Sequence, residues 1–166
     1  HLVSPGQEIE VEMEFRSKLP RGIARTGWSE DYFFVAQWFP KIGVLEDGGW
    51  NCHQYHRNTE YYADFGSYDV TLRVPSAYVI GATGNLMRTT RIAQETEYHF
   101  AAEFVHDFAW TASPRFGHFR RVFEHEQLPP VDVTLLLLPE HKYYLDRYFT
   151  AAFKTLRYYG EWFGPY

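Results

Sequence analysis

With 166 residues, 45% of them hydrophobic and 19% aromatic, the chain can bury one domain-sized core and is too apolar to be a disordered segment. A formal net charge of −5, spread without a basic block, argues against nucleic acid or an anionic membrane surface as the main partner. The single cysteine, Cys52, excludes an internal disulfide, and no apolar run approaches the roughly 18 residues of a membrane span.

In chain order, Gln7 to Phe15 alternates Ile9, Val11, Met13 and Phe15 with Glu8, Glu10, Glu12 and Glu14, which predicts a strand with one apolar and one solvated face. Carboxylates two apart on a strand repel unless a cation faces them, and Arg16, Lys18, Arg21 and Arg25 are the nearby candidates. Gly22 to Glu30 reads as a polar turn region. A short aromatic and β-branched strand follows at Phe33 to Ala36, and Pro40 excludes its continuation. Asp47, Gly48, Gly49 and the polar segment Asn51 to Thr59 read as a loop, with Trp50 and Tyr55 as anchors against the body of the domain.

Tyr68, Val70, Leu72 and Val74 alternate with Asp69, Thr71 and Arg73, again the period of a half-buried strand. Tyr78 to Ile80 begins another short strand, and Gly81 and Gly84 supply a turn before Asn85. Thr89 to Ala93 and Glu95 to Phe104 read as a strand pair. Val105 to Ala112 is less regular, with Phe108 and Trp110 as core candidates, and Ser113-Pro114 ends it. His118 to Phe123 and Val131 to Leu138 are the last two strands, separated by a loop at Glu124 to Pro130. The final residues of the second are apolar on both faces, as in a strand buried on both sides.

After Pro139 the period becomes helical: Leu145, Phe149, Ala152, Phe153, Leu156 and Tyr159 form a stripe, with Pro139 and Glu140 as start and Gly160 as stop. The fold class implied is all-β, an antiparallel β-sandwich or saddle-like sheet domain over residues 1–138, followed by one C-terminal helix over residues 139–166. The absence of an initiator methionine and the stop at Tyr166 are what a fragment of a longer protein would show.

Few residues point to chemistry. Cys52, His53, His56 and Glu60 are zinc-ligand types, but their spacing is not a usual structural pair and no fourth ligand is identifiable, so they read as an ordinary polar loop. His99, His106, His118 and His141 lack a nucleophile at any recognisable spacing and read as partly buried, hydrogen-bonded histidines. Neither a G-x-S-x-G elbow nor a Gly-rich phosphate loop is present. Gln37 stands out as an amide inside an aromatic run. It must either satisfy its hydrogen bonds internally, for example by capping backbone, or present them at the edge of a cleft, since a buried unpaired amide costs about 1–3 kcal/mol.

The succession AQWFPKIGV, GGWN and YYADFGSYDVTLRVPSAYVIGATGN, then DFAWTASPRF at Asp107 to Phe116 and LRYYGEWFGPY at Leu156 to Tyr166, resembles in order the amino-terminal β-domain of bacterial zinc aminopeptidases of the aminopeptidase N-like gluzincin family. That resemblance implies a secreted or periplasmic metallopeptidase as the whole protein, with residues 139–166 opening a thermolysin-like catalytic domain. The partners it implies are that catalytic domain and a peptide substrate. It also implies that Gln37 helps bind the peptide's free amino terminus, because AQWF stands where the family has TQxE or a variant; Phe39 replaces the acidic residue or amide found in many relatives. The cofactor it implies is zinc, held outside this chain. The nearest approach to HExxH here is His125, Glu126, Gln127, Leu128, Pro129, in which proline replaces the second ligand, and the family's GxMEN motif is missing. A reading of another class is a noncatalytic β-sandwich module that binds glycan or peptide on Trp38, Trp50 and Tyr55.

Overall fold

The computed structural model describes residues 3–22, 24–54, 56, 58 and 60–166. The chain is mostly β, 41% strand against 16% helix, in several antiparallel sheets followed by one C-terminal helix. Along it run β1 (Gly27–Ser29), β2 (Tyr32–Val35), β3 (Val44–Glu46), β4 (Gly49–Asn51), β5 (Gly66–Pro75), β6 (Val79–Ala82), β7 (Asn85–Ile92), β8 (Glu95–Val105), β9 (Trp110–Ser113), β10 (Gly117–Phe123) and β11 (Val131–Leu137). A 3-10 segment, Pro139–Tyr144, then leads into α1 (Leu145–Phe163).

Two sheets carry the body: a four-stranded one ordered β1-β2-β9-β6 and a three-stranded one ordered β5-β8-β7. The alternation of β5 positions Leu72 inside, opposite Tyr98, with Phe100 opposite Val70 on the same face. Leu72 and Phe100 meet Phe108, and Ile80 and Ala82 from β6 with Trp110 from β9 pack on this cluster, so the core sits where the two sheets meet. Phe108 is fully buried, and burial of such a ring contributes roughly 1.5–3 kcal/mol. Trp38 Nε1 donates to the Phe108 carbonyl at 3.0 Å and Thr96 Oγ1 donates to Ser76 Oγ at 2.9 Å, whereas Trp110 Nε1 is buried with no hydrogen-bond partner among the described residues.

The β10–β11 hairpin has contacts on both faces, but the apolar end of β11 is only partly buried, which corrects the expectation of a strand buried on both sides. Leu136 approaches β6 so closely that a Cβ on Gly81 would lie 2.7 Å from its Cδ1. Phe123, on the opposite face, packs against Phe153 of α1 at 5.7 Å between ring centroids. Phe149 completes this second, smaller core, with the Arg121 guanidinium 4.4 Å above its ring. Among the described residues no helix is long and apolar enough to cross a membrane.

Several sequence expectations are corrected. Gln7 to Phe15 forms no strand, and Ile9, Val11, Met13 and Phe15 are all exposed, because alternation defines a face but a ladder also needs a partner backbone. Arg25 pairs with Glu60 at 3.1 Å instead of with that segment's carboxylates. The turn region at Gly22 to Glu30 contains β1, and the loop after Pro40 contains the β3–β4 hairpin, closed by Asp47 and Gly48 with the positive φ of 123° falling on Gly49. Trp50 on β4 is 62% exposed, which corrects its reading as an anchor, while Tyr55 lies outside the described residues. Within the run Val105 to Ala112, Val105 ends β8 and β9 begins at Trp110, with the residues between them outside any strand. Gly81 lies within β6, not in the turn, and its lack of a side chain admits Leu136.

At the C-terminus, Pro139 and Glu140 begin 3-10 structure and the α-helix starts at Leu145. Gly160 does not stop it. A Cβ there would sit 2.8 Å from Leu128 Cδ1, so Gly160 is a packing position, and the helix ends before Gly164, whose φ of 108° suits glycine.

Candidate functional site

Gln37 follows β2 directly and has a left-handed backbone, φ 54°. That conformation costs a side-chain-bearing residue of order 1–3 kcal/mol and persists where surrounding structure imposes it. Here the constraints are Trp38 and Phe39, both packed on the core cluster immediately after it. The backbone reversal ends β2 and brings Gln37 to the wall of a cavity of about 440 Å³, which Phe39, Lys41, Cys52, Tyr61 and Tyr62 also line.

The Gln37 side-chain oxygen accepts a hydrogen bond from Lys41 Nζ at 3.3 Å. The same ammonium lies 2.9 Å from Asp107 Oδ1 and 5.5 Å from the centroid of the Phe39 ring. Lys41 and Asp107 retain only 17% and 18% of their side-chain exposure, so this pair is far less solvated than an ordinary surface ion pair. Asp107 is oriented by the backbone, its Oδ1 accepting from the Phe108 amide at 2.8 Å. Its charge reaches Tyr68 as well, whose hydroxyl pKa is pushed up first by burial and then by Asp107.

A carboxylate, an amide oxygen and an aromatic face thus converge on one position, and the group they hold is a primary ammonium. That ammonium is the chain's own, on Lys41. Sequence reasoning found Gln37 but missed Lys41 and Asp107. Both lie within family-like segments, AQWFPKIGV and DFAWTASPRF, but the contact itself joins the β2–β3 connection to the turn after β8.

The remaining candidates are placed as follows. Cys52 is exposed, and the His53 ring stacks on His56 and on Tyr61 at 6.0 and 6.2 Å. No group of three or more His, Cys, Asp or Glu that could hold a metal occurs among the described residues. His99 is half-buried and 2.9 Å from Asp69, as expected, whereas His106, His118 and His141 are exposed, which corrects the expectation of partial burial for those three. The run His125 to Pro129 lies in the β10–β11 loop, not on a helix; His125 stacks on Phe123 at 6.1 Å and faces Glu161 at 3.7 Å. These residues do not fit the HExxH motif, which needs two imidazoles on one helical face. Of the proposed aromatic platform, Trp38 is committed to the core cluster, Trp50 is exposed on β4, and Tyr55 lies outside the described residues.

No protein-family model matches this chain, and no curated protein matches it either.

Proposed function

We propose that this chain is the amino-terminal β-domain of a zinc-dependent aminopeptidase, that residues 139–166 belong to the start of its catalytic domain, and that Gln37 contributes to binding the peptide's free amino terminus. The observation that carries the reading is the ammonium already seated on the Gln37 oxygen at the wall of a cavity. A peptide amino terminus is the same chemical group. Further support comes from α1, whose outward side exposes Tyr158, Tyr159, Trp162 and Phe163, more aromatic surface than a helix facing only water needs. In this reading the β-domain walls the peptide cleft, and the zinc ligands and general base belong to the catalytic domain.

The test uses the whole protein, purified without chelator. Gln37→Ala is expected to raise KM several-fold for a peptide with a free amino terminus and to leave thermal unfolding unchanged, since a hydrogen bond of this kind contributes about 0.5–1.5 kcal/mol. A peptide with a blocked amino terminus serves as control. Equal losses on both peptides, or no zinc-dependent peptidase activity in the whole protein, would overturn the proposal.

A further inference from the structure

The segment Gln7 to Phe15 has the sequence of a strand and the surroundings of none. It enters no sheet among the described residues, and its apolar side chains stay exposed, from 62% at Ile9 to 48% at Phe15. Both ends are nevertheless defined. At its start, Pro5 and Gly6 form a turn closed by the Gln7 amide donating to the Ser4 carbonyl at 3.0 Å, with Gly6 at φ 80°. At its end, the Phe15 ring lies 6.0 Å from Trp38, and Ser17 Oγ donates to the Trp38 carbonyl at 2.8 Å. The apolar row therefore begins on a residue of the core cluster and runs outward from it.

We propose that residues 7–15 are a docking strand that completes itself by β-pairing with an extended polypeptide in which apolar residues alternate with basic ones. Three physical points fix that chemistry. Backbone groups outside any ladder favour an extended partner over a helix or small molecule. Ile9, Val11, Met13 and Phe15 require apolar neighbours on one face of the new ladder. Glu8, Glu10, Glu12 and Glu14 on the other face require cations, because like charges directly opposite are destabilising.

The same rule disfavours a second copy as the occupant. Pairing this segment with itself would set carboxylates against carboxylates. Pairing it with the edge strand β7 of another copy would bring few cations to the glutamate face, since Arg88 lies opposite His99 and Arg91 opposite Thr96, residues on different faces of the sheet. The proposal does not depend on the aminopeptidase reading.

The test measures amide hydrogen exchange on the full chain with a synthetic nine-residue peptide alternating lysine and valine, and with a control alternating glutamate and valine. The expected result is slowing of about tenfold or more at amides within residues 8–15, with the lysine peptide alone and diminished by high salt. The double variant Glu10→Pro/Val11→Pro should abolish the slowing without changing the melting temperature. One of two adjacent residues always points its amide at the partner, and proline has none. No slowing with the lysine peptide, equal slowing with both peptides, or slowing retained in the double variant would overturn the proposal. Protection without peptide in a sample that sediments as a dimer would overturn it in favour of a second copy, and a lowered melting temperature in the double variant would show that the segment already belongs to the folded body.

Discussion

Phe149→Ala tests whether α1 is structurally part of the β-domain, whatever domain it opens in the whole protein. Phe149 is 1% exposed, its ring lies 6.0 Å from that of Phe153, and Arg121 stands over it at 4.4 Å while its guanidinium also pairs with Asp146 at 2.6 Å. Truncation of a buried phenylalanine costs about 3–5 kcal/mol, and the half-exposed Arg121 adds only about 0.5 kcal/mol through its cation–π contact. Against a typical total of roughly 5–15 kcal/mol, this single change should remove a large share of stability. Urea unfolding gives the magnitude, and hydrogen exchange gives the location. We expect α1 and the β10–β11 hairpin to lose protection together, because Phe123 and Phe153 join them. Phe163→Ala is the control: that ring is 80% exposed, and the change should stay within about 0.5 kcal/mol. A loss below about 1 kcal/mol for Phe149→Ala, or fast exchange throughout α1 in the unmodified protein, would refute the assignment of α1 to the folded body.

Gly84→Ala should destabilise by about 1–3 kcal/mol in urea unfolding, because Gly84 has φ 83° and a Cβ would lie 2.3 Å from the Ala101 carbonyl oxygen, a backbone atom that cannot rotate away; an unchanged midpoint would show that the turn before β7 adapts. Asp132 accepts two hydrogen bonds from Arg120, at 3.0 and 2.6 Å, and these hold its carboxyl below the ordinary aspartate value. A carboxyl lowered in the folded state contributes stability above the ordinary aspartate range and loses it as pH falls through the folded value. Its midpoint by NMR should therefore lie below that of an unpaired aspartate and rise in Arg120→Met; an identical midpoint in both proteins would discount the pair.

What the sequence shows best is what a single element decides. The alternation of β5 predicts the inward face of Leu72, because side-chain direction along a strand follows from period alone. What it shows poorly is what depends on a second segment. Gly160 looks like a helix stop until Leu128 is seen to lie against it. Gln7 to Phe15 looks like the best strand of the chain, yet pairing is a property of two segments and the described residues supply only one. The short β1 and the β3–β4 hairpin were hidden for a third reason. Each has three residues per strand, too few for a period to emerge, although Asp47-Gly48 carried a hairpin signal that a loop reading absorbed.

The same dependence on a second segment governs the candidate site. Gln37 by itself is an amide in an aromatic run and suits either a backbone cap or a ligand contact. Lys41 supplies an ammonium to its oxygen, and Asp107, brought from the far side of β8, decides how firmly that ammonium is held. Were Gln37 the only acceptor, displacing Lys41 would strand a half-buried charge, at a cost larger than a new hydrogen bond could return. With Asp107 as counter-ion, Lys41 can give up the Gln37 oxygen and keep its charge paired, but an incoming ammonium would gain only the neutral amide oxygen while facing the Lys41 cation. In the proposed reading, the left-handed backbone of Gln37 serves to hold its amide at the cavity wall.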